Sequence, residues 1–359
     1  MSLRAFLYGL LFAAAFTPVA RFFAQRFGIV DLPDQRRKTH ARPTALLGGA
    51  AVFGAFALTV LLLRSELLGG FLLQKHLLGL LAGSAVLILG GILDDRYRLR
   101  PAYQLAFPML ASCIVIASGI GADYVTNPLG GLIRLDLWNI TLFQNNGVPY
   151  QLTLPADLFT FAWLMGMTYT TKLLDGLDGL VTGLGVIGFA VIALLSLTPE
   201  VGQPELALLS MAAAGALGGF LVFNARPASI FLGEGGSTLV GFLLGSMALL
   251  SGAKIGVTLL VLAVPIMDVA WTIGRRLVAG KSIAEGDAEH LHFRLVRGGL
   301  TSGQTVALFW MFAAAFGGAG LFIRGREKLL ALAILAILFL LITFILRKRA
   351  HERQADQRQ

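Results

Sequence analysis

Two carboxylates, each followed by a glycine, lie between two long apolar runs of the sequence. Asp175 and Asp178 follow the run 157–172 and precede the run 180–197. An ionised carboxylate is costly in hydrocarbon, so acids at the end of such a run are either solvated or bound to a ligand. Their i, i+3 spacing predicts that both face one side of a helical turn. A calcium loop is disfavoured because its alternating acids and distal glutamate are missing. A simple turn remains the alternative.

A second acidic pair, Asp94 and Asp95, follows the apolar run 77–93. Adjacent carboxylates repel each other, so a pair held at a membrane surface usually faces a cation or a polar ligand. The alternative is an interfacial stop signal, since three arginines follow within the next five residues.

The stretch Gly233-Glu234-Gly235-Gly236-Ser237 precedes another apolar run. Glycines and a serine able to cap a helix predict exposed backbone N–H groups at a helix N-terminus, where phosphate binds well. A carboxylate beside an anion site is best explained by a divalent metal ion between them, which makes Glu234 a candidate ligand. An ordinary helix start is the alternative for the glycines and the serine.

Further polar residues occur towards the C-terminal third of the chain. Asp268 lies near the end of a run and either binds a ligand or pairs with Arg275 or Arg276. The segment 285–292 contains three acids together with His290 and His292. Because side chains at i, i+2 do not share a helix face, the histidines are better suited to phosphate than to zinc.

The composition indicates a membrane protein. The 359 residues are 56% hydrophobic and 14% charged, with a mean hydropathy of +0.77, which disfavours a soluble globular domain. The net charge of +9 is explained by basic cytoplasmic loops rather than by nucleic acid. The single cysteine excludes an internal disulfide.

Eleven runs are long enough to cross about 30 Å of hydrocarbon. They predict an all-α integral membrane protein with one polytopic domain over residues 1–346 and a polar cytoplasmic tail over 347–359, and a small extracellular β-hairpin is expected near 121–156. The runs are 3–23, 46–63, 77–93, 102–120, 157–173, 179–197, 206–223, 237–251, 255–273, 303–322 and 328–346.

The basic residues predict the orientation. Most of the 29 Lys and Arg fall in loops that are inside if the N-terminus is outside and the C-terminus inside. Each acidic cluster then follows an odd-numbered helix and reaches the cytoplasmic side. Acids in the outer loops are scattered, so the sequence predicts one polar site at the cytoplasmic face.

Taken in order, these motifs resemble the polyprenyl-phosphate N-acetylhexosamine-1-phosphate transferase family. The resemblance covers nearly the whole chain, including the early segment Thr39-His40-Ala41-Arg42-Pro43, and five motifs in order are specific where one would not be. It implies a multi-pass plasma-membrane enzyme with a cytoplasmic active site. The implied reaction transfers a sugar 1-phosphate, favouring GlcNAc-1-phosphate, from a UDP-sugar to polyprenyl phosphate and releases UMP. Mg²⁺, or alternatively Mn²⁺, is the implied cofactor, and pairing with a second copy of the chain is left open.

The resemblance also assigns roles. It implies catalytic roles for Asp94, Asp95, Asp175 and Asp178, with Asp94 and Asp95 beside the lipid phosphate. It implies metal ligation by Glu234, with Asp95 as a second ligand. The predicted substrate-binding residues are Arg42, Lys172, Asn224, Gly235, Ser237, Asp268, His290 and His292.

The chain departs from the family pattern in three respects. Glu234 replaces the usual aspartate, Tyr169 and Lys172 replace asparagines, and Phe293 replaces a further histidine. The two remaining histidines favour the GlcNAc-type branch over phospho-MurNAc-pentapeptide translocase, which is the main alternative.

Two other protein classes are weighed. A secondary transporter would place its polar groups near the midplane and show repeat symmetry, neither of which the sequence predicts. A CDP-alcohol phosphotransferase expects an Ala-Arg pair soon after its first Asp-Gly, and residues 177–181 lack it.

Overall fold

The computed structural model describes residues 2–32, 43–127, 130–145, 148–252, 255–280, 290–323 and 325–356. Helices dominate these ranges, and each predicted run coincides with at least one of them. Their bounds are α1 Ser2–Arg26, α2 Gly48–Leu62, α3 Arg64–Leu67, α4 Gln74–Tyr97, α5 Pro101–Ala117, α6 Ala156–Leu174, α7 Leu180–Ser196, α8 Pro204–Asn224, α9 Gly233–Leu250, α10 Ile255–Val261, α11 Ala263–Val278, α12 Leu291–Arg297, α13 Ser302–Ala319 and α14 Arg326–Asp356.

Five of the described helices are long and apolar enough to cross a membrane: α1, α4, α8, α9 and α14. The predicted run 255–273 is broken, because α10 and α11 meet at an angle of 79° and count as one further span at most. The chain is therefore a mostly helical integral membrane protein. Eleven crossings and the N-out, C-in orientation stay predictions.

The region between α5 and α6 forms strands, as the alternating residues there predict. Two antiparallel pairs are present rather than one hairpin: β3 Tyr124–Thr126 with β4 Leu132–Arg134, and β5 Trp138–Asn145 with β6 Val148–Leu154. A shorter pair, β1 Val30–Asp31 and β2 Thr44–Ala45, lies between α1 and α2. At the other end of the chain, α14 continues to Asp356, so the predicted tail begins as helix.

Helix α9 is the centre of the bundle and is buried along most of its length. Glycines let its neighbours approach: a Cβ on Gly91 of α4 would collide with the backbone of Gly235, and one on Gly241 would collide with the Met167 carbonyl of α6. Small residues permit close helix contact where lipid supplies no hydrophobic drive. As a result, the N-terminal end of α9 lies beside the C-terminal ends of α4 and α6.

Candidate active site

The carboxylate of Asp95, in the last turn of α4, binds the first turn of α9. Its Oδ1 and Oδ2 accept hydrogen bonds from the Glu234 N–H at 3.3 and 3.1 Å. A carboxylate at a helix N-terminus binds a free N–H and the positive end of the helix dipole. Gly233 is required here, because its φ is +71° and a Cβ would lie 2.5 Å from Asp95 Oδ2.

The predicted serine cap of α9 is wrong. The helix begins at Gly233, four residues earlier, and the Ser237 hydroxyl donates back to the carbonyls of Gly233 and Glu234 at 3.1 and 3.2 Å. Exposed N–H groups were expected at this helix start, but the Glu234 N–H is bound by Asp95. Gly235 serves helix packing, since its backbone lies against Gly91.

Asp94 stabilises the turn between α4 and α5. Its Oδ1 accepts from the Leu99 N–H at 2.8 Å and from Gln104 Nε2 at 3.0 Å. The two adjacent carboxylates thus have different partners, Asp95 reaching α9 and Asp94 reaching α5.

Lys172, in the last turn of α6, connects this turn to Glu234. Its ammonium forms an ion pair with Glu234 Oε1 and donates to Gln104 Oε1 at 3.0 Å. It also lies 5.3 Å from the centroid of the Tyr169 ring. The residues at which the chain departs from the family pattern on α6 and α9 are therefore in mutual contact. Gln104 was missed by the sequence reasoning, and no local sequence signal marks it.

Asp175 and Asp178 lie in the non-helical connection between α6 and α7, so the predicted helical turn is wrong. Asp178 Oδ2 accepts from the Ala228 N–H at 3.1 Å, which ties this loop to the one after α8. Asp175 opens onto the cavity, but the protein atoms around it reduce its hydration. This desolvation, together with the charges of Glu234 and Asp178, raises the pKa of Asp175 to about 7.

Asn224, the last residue of α8, is buried and bridges two segments. Its Oδ1 accepts from Thr182 Oγ1 at 2.6 Å, and its Nδ2 donates to the Ile230 carbonyl at 3.0 Å. The oxygen and the nitrogen of the Asn224 amide both have partners within the protein, so Asn224 positions residues that surround the cavity.

Asp268 and the histidines form a buried cluster behind this wall. Asp268 accepts from the Leu291 N–H at 2.8 Å and contacts His290 Nδ1 at 2.9 Å. His292 is fully buried, packs on Phe293, and directs Nε2 at Gly176, where a Cβ would lie 2.5 Å away. Burial, and then the neighbouring His290, lower the pKa of His292 to about 3, so its imidazole is neutral.

These elements enclose a cavity of about 360 Å³. Seven of the predicted site residues line it, namely Asp95, Lys172, Asp175, Asp178, Asn224, Glu234 and Ser237. Asp31 and Phe293 also line it and were not predicted as site residues. The only advance signal for Asp31 is its place within the first predicted inner loop.

Residues 77–252 match the family model described as glycosyl transferase family 4. The central part of the chain is thus similar to this family. The matched residues include both acidic pairs and Glu234, whereas Asp268 and the two histidines lie beyond them.

Curated relatives extend the similarity over most of the chain. A protein of Bacillus subtilis named probable undecaprenyl-phosphate N-acetylglucosaminyl 1-phosphate transferase is 28% identical over 95% of this chain and 90% of its own. Decaprenyl-phosphate N-acetylglucosaminephosphotransferase of Mycolicibacterium smegmatis is 28% identical over 90% of this chain and 83% of its own. Undecaprenyl-phosphate alpha-N-acetylglucosaminyl 1-phosphate transferase of Escherichia coli K12 is 28% identical over 93% and 87%.

Several predicted site residues do not line the cavity. Asp94, Gly235, Asp268, His290 and His292 lie outside the set of described lining residues. For Asp268 and His292, burial places them behind the cavity wall, so the structure favours a positioning role over direct contact with substrate. Arg42 lies outside the described residues, as do the acids at 285–289.

The donor set of the cavity fits a divalent metal ion. Among the described residues, no three His, Cys, Asp or Glu side chains converge closely enough to hold a metal alone. Mg²⁺, however, is usually bound by one or two carboxylates together with water and substrate phosphates. Glu234 presents its carboxylate to a cavity that Asp95, Asp175 and Asp178 also line. Glu234 therefore stays the predicted principal ligand, with Asp95 beside it.

Proposed function

We propose that the protein transfers N-acetylglucosamine 1-phosphate from UDP-GlcNAc to a polyprenyl phosphate and releases UMP. The observation that carries this proposal is the cavity lined by Asp95, Asp175, Asp178 and Glu234 together with the Lys172 ammonium. Carboxylates and a cation at the ends of apolar helices suit a soluble diphosphate donor that meets a lipid phosphate. The names of the curated relatives support the acceptor and the sugar.

The reaction is a phosphoryl transfer in which an oxygen of the lipid phosphate attacks the β-phosphorus of the donor, and UMP leaves. Catalysis of such reactions depends mainly on positioning and charge neutralisation. A general base is not required, because a phosphomonoester with a second pKa of about 6 is mostly ionised at neutral pH. When bound, Mg²⁺ would neutralise phosphate oxygens at Glu234.

The residues around the cavity have separate roles in the proposed reaction. Asp95 fixes the backbone of Glu234 and so orients its carboxylate. As the predicted second ligand, its own negative charge would also help to hold the metal ion. Lys172 brings a positive charge to the cavity. Asn224 and Asp178 hold the two loops that shape the nucleotide pocket.

The site is proposed to face the cytoplasm, where UDP-sugars are made, because the orientation predicted from basic residues places these helix ends inside. Plasma-membrane localisation and pairing with a second copy of the chain stay expectations that follow from the family resemblance. The polar groups gather at helix ends, which supports an enzyme over a transporter with a midplane site.

The test uses purified protein in lipid nanodiscs with polyprenyl phosphate and UDP-GlcNAc. We expect UMP release that stops on addition of EDTA and returns with excess Mg²⁺. Asp95→Asn should abolish release, while Asp123→Asn, in the loop after α5, should not. A parallel reaction with UDP-MurNAc-pentapeptide tests the alternative donor. No UMP release with any UDP-hexosamine would refute the proposal.

A further inference from the structure

The Lys172 ammonium is held against the carboxylate that is proposed to bind the metal ion. Lys172 and Glu234 form an ion pair in which the side chains are 16% and 21% exposed. Both residues line the cavity. A pair that is mostly withdrawn from water is screened less than a surface ion pair, so the contact neutralises Glu234 effectively.

The position of this ammonium is fixed by further partners. Gln104 Oε1 accepts a second hydrogen bond from Lys172 at 3.0 Å, and the Tyr169 ring lies 5.3 Å from it. Gln104 is itself held, because its amide nitrogen donates to Asp94 Oδ1 and to the Leu99 carbonyl at 3.0 and 3.1 Å. The ammonium is therefore built into the site.

A divalent cation and an ammonium at the same carboxylate repel each other. Any metal ion that binds Glu234 must weaken the Lys172 contact, and part of its binding free energy is used in doing so. We propose, on the basis of the function proposed above, that Lys172 is an internal competitor of the divalent cation at Glu234. Lys172 thereby sets the metal concentration that the enzyme needs. The pair also keeps the carboxylate-lined cavity partly neutralised before any metal or substrate is bound.

The direct test measures Mn²⁺ binding by electron paramagnetic resonance in metal-free protein without substrate. Removing the competing charge with Lys172→Met should tighten the Mn²⁺ dissociation constant by about tenfold, as expected for loss of a close like charge. Lys172→Gln provides a second neutral variant in case the first does not fold, and thermal unfolding of each variant checks this.

Three control variants separate a specific contact from general electrostatics. Lys172→Arg keeps the charge and should stay within about threefold of the unmodified protein. Lys75→Met removes one charge at the opposite end of α4, about 30 Å along that helix from Asp95, and should change nothing. In a Glu234→Gln background, Lys172→Met should give no gain in affinity, since the shared carboxylate is gone.

A second measurement records the Mg²⁺ concentration that gives half-maximal UMP release, which should fall in Lys172→Met whatever happens to the maximal rate. Unchanged Mn²⁺ affinity in both neutral variants would overturn the inference, and so would equal tightening in Lys75→Met. An absence of measurable Mn²⁺ binding in every variant would overturn it as well. Because the binding measurement needs no substrate, loss of UMP release with an intact affinity shift refutes the proposed function alone.

Discussion

Replacing Asp268 distinguishes a positioning role from the substrate contact that the sequence predicts. Asp268 is 1% exposed, and its two oxygens bind His290 Nδ1 and the Leu291 N–H. Hydrogen bonds to a charged group contribute about 1.5–3 kcal/mol each, so Asp268→Ala should cost about 3 kcal/mol or more. The seven-residue helix α12 depends on these contacts, so the cost should appear as local opening of α12 rather than global unfolding.

Hydrogen exchange of residues 290–297 measures this opening. About 3 kcal/mol corresponds to about a hundredfold faster exchange there, while α9 should be unaffected. Release of α12 would also free His292 from its place behind Gly176 and lower the maximal rate. Thr272→Val is the matched control, because Thr272 lies one turn further along α11, is 5% exposed, and has no side-chain hydrogen bond among the described residues.

The reasoning fails if Asp268→Ala and Thr272→Val exchange alike within about threefold at 290–297. A higher KM for the UDP-sugar with unchanged exchange would support direct substrate contact instead. Intermediate exchange is expected for Asp268→Asn, which retains one acceptor of the same shape.

Three further predictions concern the cavity walls. Asp95→Asn keeps an acceptor for the Glu234 N–H, so it should lose activity but unfold near the temperature of the unmodified protein. Asp95→Ala should lose activity and also be destabilised by about 1 kcal/mol. Equal unfolding temperatures of the two variants would contradict the role of Asp95 as a cap of α9. Asn224→Ala should cost about 1–3 kcal/mol in thermal unfolding, because the buried Ile230 carbonyl loses its donor; a neutral outcome would remove this bridge. The pKa of Asp175 rises from 3.8 to about 7 in the folded protein, so its contribution to stability is complete below about pH 4 and is lost as the pH rises to about 7. With EDTA present, Asp175→Asn should flatten the fall in unfolding temperature between these limits, and an unchanged slope would exclude this assignment.

The sequence by itself determined the class of protein and pointed to several of the acidic residues that line the cavity. Apolar runs predict helices because lipid forces every backbone polar group to bond internally, and the predicted runs are helical in the structure. Carboxylates at the ends of such runs are too costly to be incidental. For this reason the sequence predicts Asp95, Asp175, Asp178 and Glu234 as site residues.

Only the tertiary structure decided which partner each of these groups has. Asp95 and the Glu234 N–H lie 139 residues apart in the chain, and the Lys172 contact with Glu234 depends on how α6 and α9 pack. Sequence spacing gives the face of a helix, but not which neighbouring helix that face meets. It therefore suggested a serine cap for α9, which is wrong, and a substrate contact for Asp268, which stays a prediction. In the tertiary structure the Asp95 carboxylate binds the first turn of α9, and the Asp268 carboxylate binds the first turn of α12. The Lys172 ammonium contacts Glu234, where the metal ion is expected.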